Sequence, residues 1–223
     1  MSAPTHEVYA AEVIRAGRAL ARHGLVTAFG HVSARTAPGR LVITAPVPLA
    51  GLGPDDVRVL DVVGDALPGG TPLEAWMHRR IAAARPDVGA ICRAQPPVAT
   101  ALASTGAPLV PLHGQGSFVG AVVPVHPDSR LVRDAAAADA LVDSLGNADA
   151  VILRGNGAVT VGATVAEAVA RMWVLETSAV LNATAAAVGT PVPLPDDEQT
   201  AWRAVAAELL PRIWTWISAE ETP

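Results

Sequence analysis

Apolar and polar positions divide the chain into alternating helical and strand-like stretches. From Thr5 to His23, Val8, Val13, Ile14, Ala16 and Leu20 recur at helical spacing. Thr5 or Ser2 is the expected cap, and Gly24 stops the run. Short β-like runs follow at His31–Arg35, Arg40–Ala45 and Val57–Val62, parted by Pro and Gly turns. Helical spacing returns over Pro72–Ala84 through Leu73, Met77 and Ile81, until Pro86 ends the ladder. Val88–Arg93 reads as a compact apolar strand, with further strands expected at Gly120–Val125, Ala150–Leu153 and Ala158–Val161. Arg130–Leu145 and Val165–Val188 are Ala-rich and helical. A closing amphipathic stretch, Asp196–Ile217, carries Trp202, Trp214 and Trp216 on or near one apolar face, for core or interface packing. No internal repeat or linker breaks the pattern, so one α/β domain over 1–223 is expected.

Composition narrows the partners. The 223 residues suffice for one full core, and 51% are hydrophobic. A formal charge of −5, with arginines scattered singly, gives no nucleic-acid footprint. The N-terminus has no continuous apolar core, so neither a signal peptide nor a membrane anchor is expected, and the location expected is cytoplasmic. The single cysteine, Cys92, rules out an internal disulfide and reads as a buried apolar residue. The chain contains no lysine, which excludes Schiff-base chemistry through a lysine of its own.

Three segments carry a resemblance: GLVTAFGHVSAR, PLEAWMHRRIAAARPDVGAICRAQPPVATAL, and VILRGNGAVTVG with a later Leu175-Glu176. In this order, over roughly Val8 to Gly189, the sequence resembles the class II aldolase and adducin family. The resemblance implies a three-layer α/β/α sandwich around a mixed, mainly antiparallel sheet, commonly assembled as a homotetramer. It also implies lyase chemistry on a small-molecule substrate, with an acid–base glutamate in a P-x-E turn and a divalent metal held by a His-x-His pair and a later histidine between glycines.

Carried over residue by residue, the resemblance holds only in part. Glu74 matches the glutamate and starts a predicted helix, where the macrodipole favours an anion; capping against Thr71 is its structural alternative. The His-x-His pair is replaced by Arg93-Ala94-Gln95, and the later histidine by Asn156 in Gly155-Asn156-Gly157. A guanidinium is permanently cationic, and amide oxygens bind transition metals weakly. Arg93 therefore keeps a positive charge where a dication is implied, and it can pair bidentately with a carboxylate or enolate. Lewis acidity is worth several kcal/mol at a transition state. Two guanidinium hydrogen bonds recover about 2–4 kcal/mol, by analogy with oxyanion-hole donors. That balance disfavours aldol cleavage of an unactivated sugar and leaves decarboxylation, dehydration, enolisation or cyclisation.

The remaining polar positions complete the expected site. The catalytic set is Glu74, Arg93 and His113, the last on a Gly-flanked loop. Substrate contacts are expected from His31, Ser33, Thr44, Gln95, Asn156 and Arg154. The segments around Thr44 and Thr71 lack the small polar residues of a phosphate cradle, so a non-phosphorylated carboxylate is expected. His78 shares the Glu74 helix face and reads as a packing residue. His6, His23 and His126 read as surface residues, and Glu176 as structural. No cofactor is expected. Two alternatives stand beside this reading: zinc or manganese held by Glu74 with His31 and His113, and a non-catalytic, adducin-like assembly module.

Overall fold

The structure, a computed structural model, describes residues 6–219. The capping candidates Ser2 and Thr5 lie outside these residues. Seven strands form one sheet: β1 (His31–Ala37), β2 (Arg40–Thr44), β3 (Val57–Asp61), β4 (Ala90–Ala94), β5 (Val125–His126), β6 (Ala150–Leu153) and β7 (Gly157–Gly162). Their order is β3-β2-β1-β4-β7-β6-β5. Every neighbouring pair is antiparallel except β5 with β6. The expected mixed, mainly antiparallel sheet is what forms.

Strand periodicity sorts side chains into two cores. In β4, Ala90, Cys92 and Ala94 join the core beneath α1 (His6–Arg22) and α5 (Val165–Val188), whereas Ile91 joins the core beneath α2 (Ala75–Ala84) and α4 (Ala135–Leu145). The helices thus form two outer layers around the sheet, the α/β/α sandwich. Arg93 alternates with Cys92 and so projects to the α2 face, directly across from His31 of β1. Cys92 is wholly buried, and burial pushes its thiol up to about 12, which fits its reading as an apolar core residue.

Several elements differ from expectation. A helix, α3 (Pro97–Ala103), forms where the pattern assigns no element; Pro97 occupies its first turn, where no intrahelical N–H is needed. The Glu176 carboxylate accepts from the Val98 and Ala99 backbone amides at 2.9 and 3.0 Å and caps that helix from α5. The strand expected at Gly120–Val125 shrinks to Val125–His126, because Gly114–Val119 winds into a 3-10 turn just before it. The closing stretch splits at Val205 into α6 (Asp196–Ala204) and α7 (Ala206–Ile217). Its tryptophans separate with it: Trp202 lies against Gly114 and Phe118, while Trp216 packs on His23 and Trp173. Among the described residues, no helix is long and apolar enough to cross a membrane.

Candidate active site

The α2 face of the sheet opens into a cavity of about 550 Å³, walled by Phe29, Pro46, Val47, Pro72, Leu73 and Leu131. Its polar lining is His31, Thr71, Glu74, Arg93, Gln95, Arg133 and Asn156. A concave, mostly apolar site of this size with a few convergent polar groups suits a small organic ligand.

The tight turn between β6 and β7 sets the centre. Gly155 and Gly157 take φ of +71° and +110°, and a Cβ on Gly157 would stand 2.2 Å from the Ala94 carbonyl oxygen. Only glycine allows that approach. It brings Asn156 over β4, where Arg93 Nη2 donates to the Asn156 backbone oxygen at 2.9 Å and to its Oδ1 at 2.8 Å. Arg93 is 3% exposed, and its Nε is buried with no hydrogen-bond partner among the described residues. Burial lowers the Arg93 pKa and the Glu74 carboxylate opposes the shift. Guanidinium stays charged under such perturbation, so the cavity lining holds a fixed cation.

Glu74 stands at the N-cap of α2 without capping it. Thr71 instead donates to the Pro68 carbonyl at 2.7 Å, so the capping-box alternative does not form. The Glu74 carboxylate accepts from Arg133 Nε at 2.8 Å, across 59 residues of sequence. Arg133 and Leu131 escape the sequence reading, which places them inside a helix over Arg130–Leu145; α4 begins only at Ala135, behind the Asp134 cap, and the segment before it leaves both residues in the cavity lining.

His31 lines the cavity, but Ser33 and Thr44 do not. Ser33 Oγ lies 2.7 Å from His78 Nδ1, and His78 Nε2 lies 2.9 Å from His31 Nδ1, all three residues being buried. Thr44 Oγ1 accepts from the Val32 amide at 3.2 Å and braces the β1–β2 pair. Burial lowers the His31 pKa well below its ordinary value, with His78 and Arg93 adding to the effect. Burial, with Arg93, takes His78 to about 3. Both rings are neutral at physiological pH.

Two further expected site residues, beyond Ser33 and Thr44, lie outside the cavity lining. His113 does not line the cavity. Its Nε2 is 3.1 Å from Ser178 Oγ on α5, on the opposite face of the sheet, because Gly114 packs flush against Trp202. Arg154 is exposed, and its Nε donates to the Pro127 carbonyl at 2.8 Å. Among the surface histidines, His6 is exposed as expected. His126, by contrast, is 5% exposed and bonded to Ser144, and His23 is half-buried against the Ile217 carbonyl.

A divalent metal does not fit these side chains. Arg93, Gln95 and Asn156 do converge, yet they offer a cation and two amides. Among the described residues no three His, Cys, Asp or Glu side chains group as a metal site. The substitute trio of Glu74, His31 and His113 fails because His113 is held behind the sheet.

Comparison with known proteins agrees with the fold. The Class II Aldolase and Adducin N-terminal domain model matches residues 11–182. The chain belongs to the class II aldolase and adducin family. The 3,4-dihydroxyphthalate decarboxylase of Terrabacter sp. (strain DBF63) is 33% identical over 81% of this chain and 84% of its own. That of Arthrobacter keyseri is 29% identical over 92% of this chain and 95% of its own. Among solved structures, L-fuculose-1-phosphate aldolase from Thermus thermophilus superposes with a TM-score of 0.73 at 30% identity, covering 84% of this chain and 100% of that one.

Proposed function

We propose that this protein is a metal-independent lyase that decarboxylates a small, planar, non-phosphorylated carboxylate bearing a keto or hydroxyl oxygen β to the departing group. The observation that carries this reading is the buried Arg93 guanidinium in the cavity lining, fixed through Nη2 by Asn156. The similarity to 3,4-dihydroxyphthalate decarboxylases and the apolar walls support a ring-bearing substrate of that kind.

In this reading the substrate reacts as its keto form, reached from a ring hydroxyl by protonation of the carboxyl-bearing carbon and loss of the hydroxyl proton; the carbon–carboxyl bond then breaks, carbon dioxide leaves, and the electron pair passes onto the β-oxygen. Arg93 faces the charge that develops there, in a site where low dielectric strengthens the interaction. Gln95 and Asn156 offer amide groups beside it. Arg133, half-exposed at the mouth, pairs with a second carboxylate or holds the first. The proton that replaces carbon dioxide on carbon comes through Glu74, the one carboxyl lining the cavity among the described residues, which exchanges with water at the mouth. Neither His113 nor Arg154 takes part. We further propose a cytoplasmic homo-oligomer, of which the tetramer implied by the resemblance is the expected form.

Carbon dioxide release from hydroxyphthalates and aromatic β-keto acids, by protein dialysed against chelator, tests the proposal. Turnover that persists without metal and disappears in Arg93→Met supports it. No turnover of any such carboxylate by a folded protein favours the non-catalytic assembly reading.

A further inference from the structure

The buried chain Ser33–His78–His31 ends on a hydroxyl at one side and on the cavity at the other, which fixes where its protons lie. Ser33 is fully buried in β1, and the only hydrogen-bond partner of its Oγ among the described residues is His78 Nδ1 at 2.7 Å. If His78 Nδ1 carried a proton and donated to Ser33, the hydroxyl proton would have no acceptor in a dry site. Ser33 therefore donates to His78 Nδ1. The His78 proton is then on Nε2, which donates to His31 Nδ1 across 2.9 Å. That leaves the His31 proton on Nε2.

His31 Nε2 has no protein partner among the described residues and, unlike Arg93 Nε, is not sealed from solvent. His31 lines the cavity, so this ring edge opens into it. Resting on the lyase reading above, we propose that Ser33 and His78 are positioning residues that lock His31 as a neutral Nε2–H donor, aimed at the same substrate oxygen that Arg93 faces. His31 and Arg93 are direct cross-strand partners on β1 and β4, side chains on one face, which is the spacing two donors need to share one oxygen. The neutrality of both rings follows from their burial and the Arg93 charge. A neutral donor beside a guanidinium avoids like-charge repulsion and still adds a hydrogen bond to a developing oxyanion. The substrate is accordingly one that presents an acceptor oxygen at that point, and a group offering only donors there is rejected. His31 is excluded as a general base, since its cavity-facing nitrogen already carries a proton.

Nitrogen-15 NMR of full-length protein labelled only at histidine reads the protonation of each ring nitrogen, with His31→Gln and His78→Gln used for assignment. The expected result is Nε2–H with bare Nδ1 for both His31 and His78 at neutral pH. Ser33→Ala should release the His78 constraint, giving mixed tautomers at both rings and about a tenfold lower kcat for carbon dioxide release with KM little changed. Ser33→Thr, which keeps the hydroxyl, should restore both. Nδ1–H on His31, an imidazolium at neutral pH, or an unchanged tautomer in folded Ser33→Ala would overturn the proposal. The NMR result does not depend on turnover. The predicted tautomers in a protein without lyase activity would refute the decarboxylase reading, whereas active protein with reversed tautomers would refute the wiring alone.

Discussion

Arg93 and Glu74 carry the account at the scale of single residues, and their roles separate by substitution. Glu74→Gln removes the proposed proton carrier and keeps the shape, so turnover should fall by about 10²–10⁴-fold while the unfolding midpoint barely moves. Loss of Arg133 should act differently, because its pair with Glu74 is half-exposed and worth little to stability. Arg133→Ala should raise KM more than it lowers kcat, and steady-state kinetics distinguishes the two patterns. Which residues meet was only partly legible from the sequence. Glu74, Arg93, Gln95, Asn156 and His31 were readable because each stands in or beside a recognisable motif. His113 was misjudged because a histidine just ahead of the turn glycines Gly114 and Gly116 looks the same whether its loop faces the cavity or, as here, α5. Ser33 and His78 contribute through each other, across 45 residues, and no local pattern encodes that pairing.

Among the elements, the β6–β7 turn is the part of the scaffold on which the site depends most. Gly157→Ala must relieve both a positive φ and an overlap with the Ala94 carbonyl oxygen. We expect a loss of at least ~2 kcal/mol in urea unfolding and, in whatever folds, a displaced Asn156 that no longer holds Arg93. The long periodic elements α1, α5 and the paired strands β1 to β3 were visible from spacing alone, since each presents several turns or alternations to a core. Elements shorter than that were not. α3 spans seven residues, the first of them a proline, and its start is fixed by the Glu176 carboxylate, 78 positions along the chain from Val98. The break at Val205 was missed because α6 and α7 continue a similar amphipathic pattern and differ in what they cover.

For the whole molecule, two neutral buried histidines couple stability to pH. Their folded pKa values lie below the ordinary 6.5, that of His78 at about 3. Above pH 6.5 neither state binds the proton and the effect is absent. As pH falls below 6.5 the unfolded chain takes up protons that the fold excludes, so stability drops by about 1.4 kcal/mol per pH unit for each histidine. Urea midpoints should therefore decline between pH 7 and pH 5.5, and His78→Asn should flatten that decline. A protein equally stable at both ends would contradict the neutral pair. The sandwich itself was legible because the motif order fixes it, whereas the charge balance of its cavity depended on Glu74, Arg93 and Arg133 meeting from three separate segments.

The proposed replacement of a metal by a guanidinium is most directly tested by titrating purified protein with zinc and manganese in a calorimeter, beside an Arg93→His, Gln95→His, Asn156→His triple variant. We predict no stoichiometric binding to the natural chain and one ion per subunit for the triple variant, whose three imidazoles would then converge at the β4 end and the β6–β7 turn. One tightly held ion per subunit in the natural chain would contradict the account.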